Sequence, residues 1–281
     1  MGVEKIRGEF GEPTNFESIG CILGRTEVPI GAEKETKSRS IELTDRDFEL
    51  MRFILEMKFA SGELLFQRFF KVTLSKHESR SRAWSQRRLQ QLEKSNLIRG
   101  AHSFSERVRY FTCTKNGYYA IRQVYPQDHH VRPCVELDQR SFYHDKTIVK
   151  LRLQLEESGL ATSWISERIL RAGAKDCGGL KGRWVPDGIY ETPLGQKVAF
   201  ELEVSQKSRE AYRTKIRSYA NILKQSEDRL PFGKVHFVCA RDSVLEILKT
   251  ETRLYPDLFL IEPLSKYELL GKTNINNKKG N

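Results

Sequence analysis

Between Arg183 and Lys207 the chain reads RWVPDGIYETPLGQKVAFELEVSQK, and no other stretch limits the fold as tightly. Two runs of strand-forming residues, Trp184–Tyr190 and Lys197–Val204, flank the turn signal Thr192-Pro193-Leu194-Gly195. Proline pre-sets φ in such a turn and glycine accepts positive φ. A hairpin centred on Leu194 sets Asp187 opposite Glu201, with Cβ atoms about 5 Å apart. Glu203, two residues beyond Glu201, shares its face. Three carboxylates on one patch of an apolar sheet repel one another unless a cation neutralises them. Hard divalent cations such as Mg²⁺ or Mn²⁺ take oxygen ligands of this kind, and a metal so held can polarise a phosphodiester. Lys207 follows closely enough to orient or deprotonate a water. The alternation Phe200-Glu201-Leu202-Glu203-Val204 equally describes an edge hairpin with two solvated glutamates, and both readings stand at this point.

A length of 281 residues suits two domains. Hydrophobic residues make up 38% and aromatic ones 10%, enough for real cores, which excludes a disordered chain. Forty-eight basic residues against 37 acidic ones give a net charge of +11. That balance favours a polyanionic partner, nucleic acid before a membrane surface. No apolar run approaches the roughly 18 residues of a membrane span, and Met1–Phe10 alternates charge. The expectation is a soluble, cytoplasmic protein with no membrane partner. Cys21, Cys113, Cys134, Cys177 and Cys239 are odd in number and form no CxxC pair, which fits a reducing compartment rather than a disulfide framework or a zinc site.

Residues 1–40, rich in Gly, Glu, Lys and Arg, read as a flexible N-terminal arm. Thr44, followed by Asp45 and Asp47, is an N-cap with acids in the first turn, and Phe48, Met51, Ile54 and Leu55 keep helical spacing. Ser61 caps a second helix that buries Leu64, Leu65 and Phe69. A third, Ser79–Ser95, buries Trp84, Leu89 and Leu92 and carries Arg80, Arg82, Gln86, Arg87 and Arg88 on its other positions. Leu97-Ile98-Arg99 and Val108–Thr114 alternate as strands around a loop, 100–107, and Lys115–Val124 is helical again. Three helices and a two-stranded hairpin are the order of a winged helix-turn-helix, here residues 41–126. Arg and Gln on the third helix then enter the major groove of double-stranded DNA, and the wing with Arg107 follows the backbone. A solvated helix face is the other use of such charge.

Tyr125 to Gln139 holds two prolines and the adjacent His129-His130 without an apolar period, so residues 127–140 read as a linker. Phe142–Ser158 is a long amphipathic helix, Thr162–Leu170 a strand, and Arg171–Gly182 a loop loaded with Gly and Lys. Beyond the hairpin, a helix from Ser208 to Leu223 turns Tyr212, Ile216 and Tyr219 inward. Arg209, Arg213 and Arg217 line its outer face, beside the acidic patch, as a phosphodiester backbone approaching a metal would need; a solvated stripe paired with Glu210 is the alternative. Val235–Ala240, Ser243–Thr252 and Leu258–Ile261 add a strand, a helix and a strand. Residues 141–264 therefore form a second domain, and 265–281 a tail.

Pro186-Asp187 followed by Glu201-Leu202-Glu203 resembles the PD-(D/E)XK nuclease core. That core carries a lysine two residues after the acid, where this chain has Glu203; some restriction-type members have glutamate there. Alternatively Glu203 is the acid and Lys207 a displaced lysine, or the core is degenerate and only binds DNA. The order of the two domains also resembles the replication-relaxation family, which includes MobC-like plasmid mobilisation proteins. The shared words are Leu43-Thr44-x-Arg46-Asp47, Tyr143-His144-Asp145, Pro186-Asp187-Gly188, Glu201-Leu202-Glu203-Val204-Ser205, and Lys215 with Tyr219.

This resemblance implies an α+β / α/β chain, an N-terminal winged helix-turn-helix followed by a PD-(D/E)XK-like mixed sheet flanked by helices. It implies DNA cleavage or nicking by Mg²⁺- or Mn²⁺-dependent hydrolysis, with Asp187, Glu201 and Glu203 as ligands and Lys207 as a phosphate or water contact. Arg80, Arg82, Gln86, Arg87, Arg88, Arg107, Arg209 and Arg213 are the expected DNA contacts. His144 or Asp145 borders the site or caps a helix. The alternative is a non-catalytic accessory, a relaxosome or replication component or a transcriptional regulator. A relaxase or other transfer protein and a second copy of the chain are the expected protein partners.

Overall fold

The computed structural model describes residues 41–71, 81–126, 131–134, 136–173, 185–225 and 232–267. The expected arm, Arg80, the His129-His130 pair, the centre of the Arg171–Gly182 loop, Trp184, Cys21, Cys177 and the tail beyond Tyr267 lie outside them.

Helix α1 (Asp45–Met57) begins at a reciprocal cap: Asp47 Oδ2 accepts from the Thr44 backbone N at 2.8 Å and from Thr44 Oγ1 at 2.7 Å. Leu50, Met51 and Ile54 are its fully buried stripe. Strand β1 (Ala60–Ser61) is only two residues long, too short to show in the sequence. Ser61 then caps α2 (Gly62–Phe69), accepting from Leu64 N at 3.3 Å. Helix α3 (Arg82–Lys94) is capped by Ser81. Strands β2 (Ile98–His102) and β3 (Arg109–Cys113) follow, then α4 (Lys115–Val124) capped by Thr114. The sheet order is β1-β3-β2, antiparallel throughout, so β1 ties the end of α1 to the hairpin.

Helix α5 (Phe142–Glu157) leads to β4 (Ser163–Ser166). The strand expected over Thr162–Leu170 stops halfway. Ser166 Oγ accepts from Ile169 N at 3.4 Å and starts a short helix, α6 (Glu167–Arg171). The β-favouring pair Trp164-Ile165 just before it concealed that cap. Strands β5 (Gly188–Glu191) and β6 (Lys197–Glu203) form the hairpin, with Ile189 opposite Ala199 and Gly188 opposite Phe200. That register is centred on Leu194, as the turn signal predicts, and Gly195 takes φ +76°. Helix α7 (Arg209–Gln225), β7 (Lys234–Cys239), α8 (Asp242–Glu251) and β8 (Phe259–Pro263) complete a five-stranded sheet. Its order is β4-β5-β6-β7-β8, antiparallel from β4 to β6 and parallel from β6 to β8.

Alternation along β6 sends Ala199 towards an apolar cluster with Tyr212, Ile216 and Leu248 of α7 and α8. Val198, Phe200 and Leu202 face the opposite way, into a cluster that also holds Leu151 and Leu155 of α5 and Leu50 and Ile54 of α1. The second cluster joins both sheets. Val131 is buried in it too, so the expected linker is partly core. Arg152 reaches Glu56 at 3.1 Å across the same seam, and Arg68 pairs with Glu156. The described residues from Ile41 onward fall in one compact unit.

Candidate active site and nucleic-acid surface

Glu201 and Glu203 stand at the C-terminal end of β6 on the face covered by α7, only 5% and 2% exposed. Lys215 of α7 enters between them, its Nζ 2.7 Å from Glu201 Oε2 and 2.8 Å from Glu203 Oε1. Tyr219, one turn further on, donates its hydroxyl to Glu201 Oε1. Lys207 Nζ approaches Glu203 Oε2 at 2.9 Å from the solvent side. Asp187 lies just before β5; its Oδ2 accepts from Leu202 N at 2.8 Å and lies 3.3 Å from His144 Nε2.

Burial would raise the Asp187 carboxyl, but the His144 hydrogen bond and charge outweigh it and hold it low. Glu201 goes the other way. Burial, joined by the charge of Asp187, pushes it up to about 7 against the pull of Lys215 and Tyr219. Burial alone would lower Lys215, yet Glu201 and Glu203 raise it above its ordinary value. It is therefore a fixed cation at neutral pH and cannot serve as a base. His144 is raised to about 10, because its hydrogen bonds to Asp145 and Asp187 outweigh burial.

Among the described residues, no group of three or more His, Cys, Asp or Glu side chains is arranged to hold a metal ion. The expected trio Asp187, Glu201 and Glu203 is thus divided among cations: Lys215 bridges Glu201 and Glu203, Lys207 engages Glu203, and His144 engages Asp187. Two carboxylates are a common protein share of a Mg²⁺ site, with water and substrate oxygens completing the shell. Carboxylate oxygens are the donor type such an ion takes, and in this structure Lys215, Tyr219 and His144 engage them.

The expected DNA contacts separate into free and engaged groups. Gln86, Arg87 and Arg107 are exposed. Arg88 is turned inward, a correction to the expected outer face. Its Nε bonds Asp47 Oδ1 at 3.0 Å and its Nη2 bonds the Glu42 carbonyl at 2.7 Å. The buried Asp47 that caps α1 needs a cation, and Arg88 supplies it. Arg82 is exposed but paired with Glu63 and laid over the Phe66 ring. Arg209 and Arg213 both clamp Glu251 of α8, Arg213 Nε at 3.0 Å, so this stripe is largely neutralised.

The sequence offers Lys215 only as a word of a resemblance and Tyr219 also as an inward position of its helix; their i, i+4 spacing on α7 was the signal for a shared role. Lys58 gave no signal at all. No family model, curated protein or solved structure matches the chain. Among the described residues, no helix is long and apolar enough to cross a membrane.

Proposed function

We propose that the chain is a DNA-binding protein, a winged helix-turn-helix fused to a PD-(D/E)XK-type core that cleaves or nicks DNA by phosphodiester hydrolysis. The observation that carries this reading is the seating of Lys215 between Glu201 and Glu203, beside Asp187. A lysine supplied by α7 takes the part left vacant where Glu203 replaces the usual one. Asp187 and Glu201 would hold Mg²⁺ or Mn²⁺. The bound ion supplies Lewis-acid polarisation of the phosphodiester. Lys215 offers a permanent positive charge to a phosphate oxygen, Glu203 and Tyr219 keep it and Glu201 in place, and Lys207 meets the approaching backbone. Exposed Gln86, Arg87 and Arg107 suit a duplex lying along α3 and the β2–β3 loop. The resemblance to the replication-relaxation family supports an accessory role in plasmid transfer or replication, beside a relaxase.

One observation favours a second reading, a non-catalytic DNA-binding accessory. Lys207, Lys215 and protonated His144 already face Asp187, Glu201 and Glu203, three cations against three acids. Supercoiled plasmid incubated with Mg²⁺ or Mn²⁺ separates the two. Wild type is expected to nick or linearise it, whereas Asp187→Ala and Lys215→Ala leave it closed while still retarding it in a gel. If wild type also leaves the plasmid closed while retarding it, the accessory reading holds.

A further inference from the structure

The acid site is not walled by the C-terminal sheet alone. Helix α1 ends at Met57, and Lys58 follows at φ +71°, a conformation that residues with a side chain seldom adopt. The lysine kept there sends its ammonium to Asp145, 2.9 Å from Oδ1 and 2.8 Å from Oδ2. Asp145 also accepts from Ser141 Oγ at 2.7 Å. His144 then spans the remaining gap, with Nδ1 3.5 Å from Asp145 Oδ1 and Nε2 3.3 Å from Asp187 Oδ2. Lys58, His144, Asp145 and Asp187 line one small cleft of about 20 Å³. The row ends on a backbone group, because Asp187 Oδ2 is also the acceptor for Leu202 N, the residue after Glu201.

An ammonium, a carboxylate, an imidazolium and a second carboxylate alternate in charge along this row. Each fixes the next, since a buried carboxylate keeps its orientation only while its donors are in place. We propose that Lys58 is a positioning residue for Asp187: through Asp145 and His144 it sets the carboxylate of the acid site, which is complete only with the N-terminal module docked. The inference rests on reading Asp187 as a functional carboxylate, but its test observes that carboxylate directly, without cleavage.

The Leu202 amide reports the position of Asp187. Hydrogen exchange and amide resonances of the full chain are compared for wild type, Lys58→Met, Lys58→Arg and Asp187→Asn, with Val238 on the neighbouring strand β7 as the reference for general stability. Lys58→Met is expected to lower Leu202 protection at least tenfold relative to Val238 and to shift its resonance in the direction seen for Asp187→Asn. Lys58→Arg restores both. An unchanged Leu202 in Lys58→Met overturns the proposal, leaving Lys58 as a clamp between helices. Loss of protection that is equal at Leu202 and Val238 overturns it too, as does failure of arginine to restore the signal. A positive Leu202 result with uncut plasmid would retain the positioning role and discard the nuclease reading.

Discussion

Glu201 holds its proton up to about 7 because burial strips its hydration and Asp187 sets a second negative charge beside it. The unfolded chain releases that proton near 4.5. The folded state therefore binds the extra proton between those values, and the stability Glu201 confers below 4.5 is lost as pH rises to about 7. With EDTA present, Glu201→Gln is expected to leave Tm unchanged near the acid end of this window and to raise it above neutrality. A lower Tm at pH 8 would mean that the Lys215 ion pair outweighs the burial cost. Arg88 and Arg87 form a second contrast. Arg88→Ala strands Asp47 in the core and is expected to cost about 3 kcal/mol in a urea titration. Arg87→Ala should stay within about 0.5 kcal/mol, while weakening DNA binding and lowering its salt slope by about 1. Adjacent arginines of equal helix propensity gave the sequence no means of telling them apart. The difference comes from Asp47, forty-one residues earlier.

The hairpin was legible because turn chemistry and strand alternation act within twenty residues, and both point to Leu194. Helix α1 was legible through its capping residues, and α4 as a helical run, whereas its Thr114 cap reads as the end of the preceding strand. The break between β4 and α6 was not. Trp164, Ile165 and Ile169 are β-favouring residue types, and a serine cap carries weight only once the backbone has already turned. Gly188 shows a similar dependence on distant packing. A Cβ there would lie 2.4 Å from the Trp164 indole. Gly188→Ala is therefore expected to displace Trp164, cost about 1–3 kcal/mol and change the tryptophan emission spectrum. Wild-type emission at unchanged stability would show that the neighbouring strand yields instead. The contact of Lys215 with the acids was hidden for the same reason: it lies twelve residues beyond Glu203 on another element, and only the packing of α7 over β6 joins them.

Over the whole molecule, a charge of +11 bears on partners rather than on fold. The assignment of two domains followed from length and from a proline-bearing stretch with no apolar period. It missed that α5 inserts between the sheets, with Ile148, Leu151 and Leu155 in a core that also contains Ile54 and Phe200. Such a core should melt in one cooperative step, with near-ultraviolet circular dichroism and backbone signals falling together. Two resolved transitions would contradict the shared cluster.

That continuity makes the N-terminal module unsuited to use as a cassette. Cut out at residue 126, it would bring an uncovered patch of Ile54, Leu55 and Met57 into water and leave Glu56 and Lys58 without Arg152 and Asp145. Anyone recombining such modules would have to carry α5 along, or repaint that surface with polar side chains first.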